Sequence, residues 1–346
     1  MSSNQYLIDA SSRHAVFLQR YSAGLERDIS DMIAESLSAV VSSLSVDDIE
    51  LMSSSRFGSL QAEILSAFDE NLDDLSERLT AELHELLADE ADFSIELFER
   101  AVSVGISPSS PQQLGLALDL SPMDVAPGVQ MTIRQALNDF GQKKTQQVKQ
   151  LLDDGFIQGK TSVELIRDVR GIVPLQKRQV AALVRTGTNA TSTIARKKTM
   201  DENRDIFEGY EWVSTLDNKT SNICKARDGV IYEFKDSNPK PPAHWSCRST
   251  IIPKVKPEYD LFSNVTGVRP SVGAGGARQV GAKTTYGGWL RGQPVSFQNE
   301  VLGVARAKLF RNGGLTVDKF VDDSGRTYTL AELRALNPLA FEKANL

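Results

Sequence analysis

Cysteine and histidine are scarce in this sequence, whose 346 residues include only two cysteines and three histidines. Two cysteines cannot form the disulfide framework of a small secreted protein, and no apolar run approaches the roughly 20 residues that span a bilayer. The N-terminal residues show neither the basic nor the apolar region of a secretory signal. We therefore expect synthesis in a reducing cytoplasm and no membrane span.

Lysine is absent from the first hundred residues, which hold 21 acidic residues against six arginines. The rest of the chain holds 33 basic against 24 acidic residues. An acidic part joined to a basic part indicates two different kinds of binding partner. Long helices with solvated acidic faces would give the same balance, and both interpretations stay open.

Proline does not occur before Pro108, so no proline interrupts a helix in that part of the chain, although the capping-box pattern at Ser45–Glu50 predicts the start of a second helix. Apolar residues there recur at three- and four-residue steps, which predicts amphipathic helices longer than the average of about 11–12 residues. The first series is Phe17, Tyr21, Leu25, Ile29, Met32, Ile33, Leu37 and Val40, and the second is Leu60, Ile64, Phe68, Leu72, Leu75, Leu79, Leu83 and Leu86. We expect residues 1–106 to form an acidic helical hairpin or a coiled-coil-like arm.

Proline and glycine cluster between Ser107 and Gln130 and mark a boundary, after which a helical pattern resumes. Thr161 and Glu164 have the spacing of a capping box and predict a helix start. A further basic helix is predicted from Leu175 to about Asn203. Its cations are suited to contact with phosphate or with an acidic protein face, although a solvated helix face would look the same; they are Lys177, Arg178, Arg185, Arg196, Lys197 and Lys198.

Both cysteines and one histidine lie in a single proline-rich stretch, "DNKTSNICKARDGVIYEFKDSNPKPPAHWSCRS". Aromatic and β-branched residues in "YEWVSTL" and "GVIYEF" predict a β-hairpin there. Cys224, His244 and Cys247 are good zinc donors, and Asp217 or Asp228 could supply a fourth. One structural zinc ion would stiffen this loop. Without metal, the cysteines would be small buried hydrophobes or a disulfide, and Cys224 with His244 could also form a nucleophile and base.

The same stretch resembles a known family. The run "GYEWVSTLDNKTSNICKARDGVIYEF", followed by "PPAHWSCRSTIIP" and preceded by "LVRTGTNATSTIARKK", is similar to the phage head morphogenesis family typified by the F protein of phage Mu. The matching positions are Trp212, Val213, Leu216, Asp217, Thr220, Ser221, Cys224, Asp228, Gly229, Pro241, Pro242, His244, Cys247 and Arg248. Two departures are Ser249, where many members have a third cysteine, and Gly187, where many have an acidic residue.

The resemblance implies a minor head protein of a tailed phage, made in the host cytoplasm and located in the virion at the inner head or portal vertex. The implied partners are the portal protein, other head proteins such as scaffolding or coat protein, and phage DNA bound without sequence specificity. Such a protein would act in head morphogenesis, with DNA packaging or ejection as further roles, and would not be an enzyme. The alternative is a phage enzyme, a metal-dependent nuclease or a cysteine hydrolase, that uses Cys224 and His244.

The expected fold is mainly α with a small α+β core. We divide the chain into an acidic long-helix region at 1–106, a head morphogenesis core at 107–258, a flexible glycine-rich linker at 259–283 and a helical C-terminal extension at 284–346.

Overall fold

The computed structural model describes residues 3–45, 49–235, 237–262 and 266–346, with the side chains of 173–175 left out of the description. These residues form eleven α-helices and seven short strands. The predicted fold class, mainly α with a small β component, is confirmed.

Five helices build the larger part of the molecule, because their apolar faces share one hydrophobic core. Leu83 of the second helix packs against the fifth at Gly187, where a Cβ atom would lie 3.0 Å from Leu83 Cδ1. Glycine at 187 therefore permits close approach of these two helices. The five are α1 (Ser3–Leu44), α2 (Ser54–Glu99), α3 (Pro111–Leu120), α4 (Ile133–Ile157) and α5 (Ser162–Glu202).

The interpretation of α1 and α2 as a separate arm does not hold. Both pack on α5, and α2 also packs on α4. Helical periodicity shows which face of a helix is apolar but not which neighbour covers it, and here the neighbours are helices that lie a hundred residues further along the chain. The N-terminal helices are consequently part of the bundle that supports the loop with the two cysteines.

The fifth helix begins where the capping box predicts. Thr161 Oγ1 accepts a hydrogen bond from the amide of Glu164, and Glu164 Oε2 accepts one from the amide of Thr161 at 3.0 Å. The helix then runs without a break to Glu202, so the predicted separate start at Leu175 is wrong. One rigid helix of this length reaches from the far end of the bundle to the β-sheet.

A three-stranded antiparallel sheet follows α5. Strand β3 is central, and Tyr210 lies opposite Tyr232 on one side and Pro253 on the other. The predicted pairing of the two aromatic segments is confirmed, and a third strand and a short helix complete the unit. In chain order the elements are β3 (Phe207–Val213), α6 (Asn222–Arg227), β4 (Ile231–Glu233) and β5 (Thr250–Val255), while β1 (Met123–Ala126) and β2 (Val129–Met131) form a separate hairpin.

The segment predicted as a linker contains a β-hairpin, although residues 263–265 of it lie outside the description. Strand β6 (Val268–Gly273) pairs with β7 (Gly276–Gly281), and Arg269 is only 3% exposed. The glycine content suggested mobility, but alternate residues of β6 face the interior. The domain boundaries themselves stay a prediction.

The C-terminal extension is helical, as expected, and has its own hydrophobic cluster, which also includes Leu216 of the sheet region. Its helices are α7 (Tyr286–Arg291), α8 (Val295–Leu302), α9 (Val304–Arg311), α10 (Leu330–Leu336) and α11 (Pro338–Lys343).

Candidate metal centre

One helix and one loop bring the sulfur and nitrogen donors together. Cys224 lies in α6, whose first turn is capped by Ser221, and His244 and Cys247 lie in the loop that leads into β5. Ser246, between the two loop donors, has a left-handed backbone (φ 59°), a conformation typical of tight turns. The loop thus turns back on itself beside α6.

Helix α5 supports this loop through polar side chains. Thr186 Oγ1 accepts a hydrogen bond from the amide of Ser246 at 2.8 Å, and Asn189 Nδ2 donates to the carbonyl of Ser249 at 2.8 Å. On the opposite side, the amide of Trp245 donates to the carbonyl of Val125 in β1. A loop with little apolar content is therefore held by backbone hydrogen bonds to two neighbouring elements.

The three donor atoms lie close enough together to share one metal ion. Cys224 Sγ lies 3.2 Å from His244 Nε2 and 3.7 Å from Cys247 Sγ, and the three ligand atoms lie within 4.8 Å of one another. A disulfide would need about 2.05 Å between the sulfurs, whereas two thiolates on one zinc ion, each about 2.3 Å from it, lie about 3.8 Å apart. The sulfur–sulfur separation therefore matches two thiolates on one zinc ion rather than a disulfide.

The orientation of His244 also suits a metal. Its Nδ1 lies 2.8 Å from the carbonyl oxygen of Trp245, which can only accept, so Nδ1 carries a proton. Nε2, directed at Cys224, is then the nitrogen available as a ligand. Metal-bound histidines commonly have this arrangement, in which a carbonyl fixes the ring and its tautomer.

The two thiols differ in acidity. Burial and the neighbouring Cys247 raise the pKa of Cys224. Burial acts in the same direction on Cys247, but hydrogen bonds with Cys224 and His244 outweigh it and lower the pKa of Cys247. Desolvation likewise opposes protonation of His244, yet contact with Cys247 raises the pKa of the imidazole overall.

Asp217, proposed above as a fourth ligand, is not brought to the cluster. Its carboxylate accepts two hydrogen bonds from Arg248, at 2.5 and 2.8 Å, and others from the amides of Lys219 and Thr220. Burial raises the pKa of Asp217, but Arg248 outweighs this effect and lowers it. Asp217 instead closes the turn between β3 and α6.

Asp228 is also committed elsewhere. It accepts hydrogen bonds from the amides of Ser214 and Tyr286, both at 2.6 Å, and forms a buried ion pair with Arg269. One carboxylate thus joins the sheet, the β6–β7 hairpin and α7. The sequence predicts Asp228 as a possible fourth ligand and gives no signal for Arg269 or Tyr286 as its partners.

The six cations expected to contact nucleic acid do not share one surface. Lys177, Arg178 and Arg185 are exposed and Lys198 is half-buried. Arg196, however, is 1% exposed, and Lys197 is largely buried and pairs with Asp201 at 2.6 Å. These two cannot form part of a nucleic-acid contact surface, since their side of α5 packs against other elements of the protein.

Arg196 has a different role, within a buried charge network between α1, α2 and α5. Its guanidinium donates to Thr250 Oγ1 and lies 5.5 Å from the ring of Phe93. Glu90, 1% exposed, lies 2.5 Å from His14 Nε2 and accepts a hydrogen bond from Ser192 at 2.6 Å. Desolvation opposes ionisation of Glu90, but His14 and Arg196 outweigh it and lower the pKa of the carboxyl.

A cavity of about 490 Å³ is lined by residues of α1, α5 and the cysteine loop. Its wall includes the donors His244 and Cys247, together with Ser221, Ser249, Arg248 and Thr188. Cys224 and Cys247 are 1% and 2% exposed. Both thiols are thus buried, and Cys247 borders the cavity.

Three comparisons with known proteins complete the description. A family model described as "Phage Mu protein F like protein" matches residues 146–252, from within α4 to within β5. The match includes all three donors and confirms the resemblance found in the sequence. Searches of curated proteins and of solved structures found no match. Within the described part of the chain, no helix is long and apolar enough to span a bilayer.

Proposed function

Because residues 146–252 match the Phage Mu protein F like family, we propose that this protein is a minor head protein of a tailed bacteriophage. It resides in the particle, at the portal vertex or inner head, and acts in head morphogenesis. The family match carries this proposal, since it covers β3, α6, β4 and the cysteine loop. DNA packaging or ejection is the further role in which such a protein would take part.

A structural role, rather than catalysis, agrees with how the matched segment is built. Its two thiols are buried, and its carboxylates Asp217 and Asp228 are each paired with an arginine. A hydrolase would need an accessible nucleophile or an open ion with carboxylates around it. These two paired carboxylates stabilise the segment and are not themselves free for that chemistry.

The charge distribution supports two classes of partner. The first hundred residues are strongly acidic, and the rest has an excess of basic residues. We assign the acidic faces of α1 and α2 to portal, scaffolding or coat protein. The exposed cations of α5, Lys177 and Arg178, are assigned to DNA, which they would bind through phosphates and without sequence specificity.

One structural zinc ion belongs to the same proposal. Cys224, His244 and Cys247 would hold it, as their separations support. The ion would join α6 to the proline-rich loop and so fix the connection between β4 and β5. Zinc has no redox chemistry in proteins, and its contribution here would be folding free energy.

Chemical cross-linking of purified procapsids, read by mass spectrometry, tests the location. With a reagent that joins carboxyl groups to amines, we expect cross-links from exposed acidic residues of α1 and α2, such as Glu77, to the portal protein. A phage with the gene deleted serves as the control and should yield fewer infectious particles, with production restored when the gene is supplied in trans. Cross-links confined to tail proteins, or an unchanged titre in the deletion phage, would contradict the proposal.

A further inference from the structure

The proposed zinc ion would have fewer protein ligands than zinc normally takes. Structural zinc sites are almost always four-coordinate, with four side-chain ligands. Among the His, Cys, Asp and Glu residues that the structure describes, only Cys224, His244 and Cys247 converge on this point. Asp217 and Asp228 are already bound to arginines. The fourth coordination position therefore needs a ligand of another kind.

The position of the cavity shows which side of the ion would be open. His244 and Cys247 line the cavity of about 490 Å³, whereas Cys224 is 1% exposed and does not line it. An ion held by the three donors would therefore have Cys224 on its buried side. Its remaining tetrahedral position would face the cavity.

Two hydroxyls lie near this position, but both have other partners. Ser221 Oγ accepts a hydrogen bond from the amide of Cys224, and Ser249 Oγ lies 3.1 Å from Ser214 Oγ. A neutral hydroxyl is not among the usual zinc ligands, which are thiolate, imidazole and carboxylate. Ser221 and Ser249 thus border the open position without closing it.

The cavity wall is suited to a small polar or anionic ligand. Lys219 contributes positive charge, whereas Arg185 and Arg248, which also line the wall, are paired with Glu26 and Asp217. Thr188, 2% exposed, has a hydroxyl without a hydrogen-bond partner among the described residues, and it lies in the same wall. A buried hydroxyl of this kind is usually satisfied by a water or a ligand.

We propose that Cys224, His244 and Cys247 form a three-ligand metal site whose fourth position opens into this cavity and takes water, exchangeable for a small anion. This proposal rests on the proposed zinc ion and adds that a small anion in the cavity can reach it. Three protein ligands and one exchangeable position are the arrangement of catalytic zinc sites. The site is consequently able to bind a carboxylate or another anionic group that enters the cavity.

Cobalt substitution of the full-length protein tests this directly. Co²⁺ replaces zinc in the purified protein, and its absorption spectrum reports both the thiolate ligands and the coordination geometry. Titration with sodium azide should shift the cobalt bands saturably. Ser249→Cys should supply a third thiolate, strengthen the thiolate-to-cobalt absorption, abolish the azide response and raise Zn²⁺ affinity by about tenfold or more. Ser249→Ala, the matched control, should keep the azide response.

The possible results test the metal site and its open fourth position separately. A thiolate-bound cobalt spectrum that ignores azide would overturn the open position while leaving the metal in place. Failure to bind cobalt or zinc through the thiols would overturn the metal site itself, without bearing on residence in the phage particle. The wild-type titration decides the question even if Ser249→Cys does not fold, as checked by circular dichroism.

Discussion

Arg269 donates two hydrogen bonds to Asp228, one to each carboxylate oxygen, at 3.0 and 3.1 Å, and both side chains are almost completely buried. The pair connects strand β6, which the sequence suggested was a linker, to the turn before β4. Its position makes the hairpin an integral part of the sheet region, next to the donor cluster.

Removal of one partner of the Arg269–Asp228 pair should lower the stability of the folded protein. We expect Arg269→Met to lower the free energy of unfolding by about 3–5 kcal/mol, because Asp228 would be left as a buried, uncompensated charge. Urea unfolding followed by circular dichroism measures it. Arg278→Met, at an exposed position on the paired strand β7, is the control and should change stability by less than about 0.5 kcal/mol. An equal loss of unfolding free energy in the two variants would show that the buried ion pair contributes no more to stability than an exposed arginine.

Glu90 should make stability depend on pH. Desolvation opposes its ionisation, but His14 and Arg196 lower its pKa below the ordinary 4.5. The unfolded chain therefore takes up the proton first on acidification, so the stabilisation is complete above pH 4.5 and is lost as pH falls through the lower folded-state value. We expect Glu90→Gln to cost about 3 kcal/mol at neutral pH, with the difference from wild type narrowing in acid.

Melting temperatures recorded over this pH range check the effect, with the exposed Glu85→Gln on the same helix as control. The Glu85 variant should follow the wild-type curve throughout. A constant difference between wild type and Glu90→Gln at every pH would refute the assigned role of the Glu90 carboxylate.

Metal content should depend on Cys247. Protein purified without chelator should carry about one equivalent of zinc, the number that one such site holds. Cys247→Ser should lose it and lower the melting temperature, while Ser237→Ala, an exposed change in the same loop, should keep both. If the cysteines are only buried hydrophobes, Cys247→Ser would instead destabilise a metal-free protein by about 1–3 kcal/mol.

The enzymatic alternative makes a different prediction for Cys224. A nucleophile changed by Cys224→Ser would abolish an activity and leave stability intact. A structural metal ligand changed in the same way would reduce both metal content and melting temperature. Elemental analysis and thermal unfolding of this one variant therefore separate the two hypotheses.

Binding of DNA should depend on the exposed part of α5. The double substitution Lys177→Glu and Arg178→Glu should weaken binding to any duplex sequence. It should also reduce the slope of log K against log salt concentration by about one per lost phosphate contact. Fluorescence anisotropy at several salt concentrations measures this. Lys319→Glu with Lys343→Glu, two exposed sites in the C-terminal extension, should have a smaller effect. Equal losses from the two pairs would show that α5 is not the contact surface.

Much of the fold follows from local patterns in the sequence. The capping box at Thr161 sets the start of α5, and the alternating aromatic residues around Tyr210 and Tyr232 produce the β3–β4 pairing. These features depend on neighbouring residues or on simple periodicity, so they are visible in one sequence. The clustering of Cys224, His244 and Cys247 was suggested by their shared loop.

The remaining features depend on contacts between distant parts of the chain. Arg196 looked like a surface cation because its helix is basic, and only packing against α2 shows that it lies beside Glu90. The sequence predicts Asp217 as a metal ligand, because its ion pair with Arg248 depends on the fold and is not visible in the sequence. The shared core of α1, α2 and α5 also affects how DNA binding is tested. A fragment without residues 1–100 would lose part of that core, so substitutions in the full-length protein are the better test.

Residence in the phage particle is the central claim, and quantitative mass spectrometry of purified procapsids and virions tests it most directly. The chain should be present in both at far fewer copies than the coat protein, as expected for a component of the portal vertex. Its absence from both particles would contradict the assignment as a minor head protein.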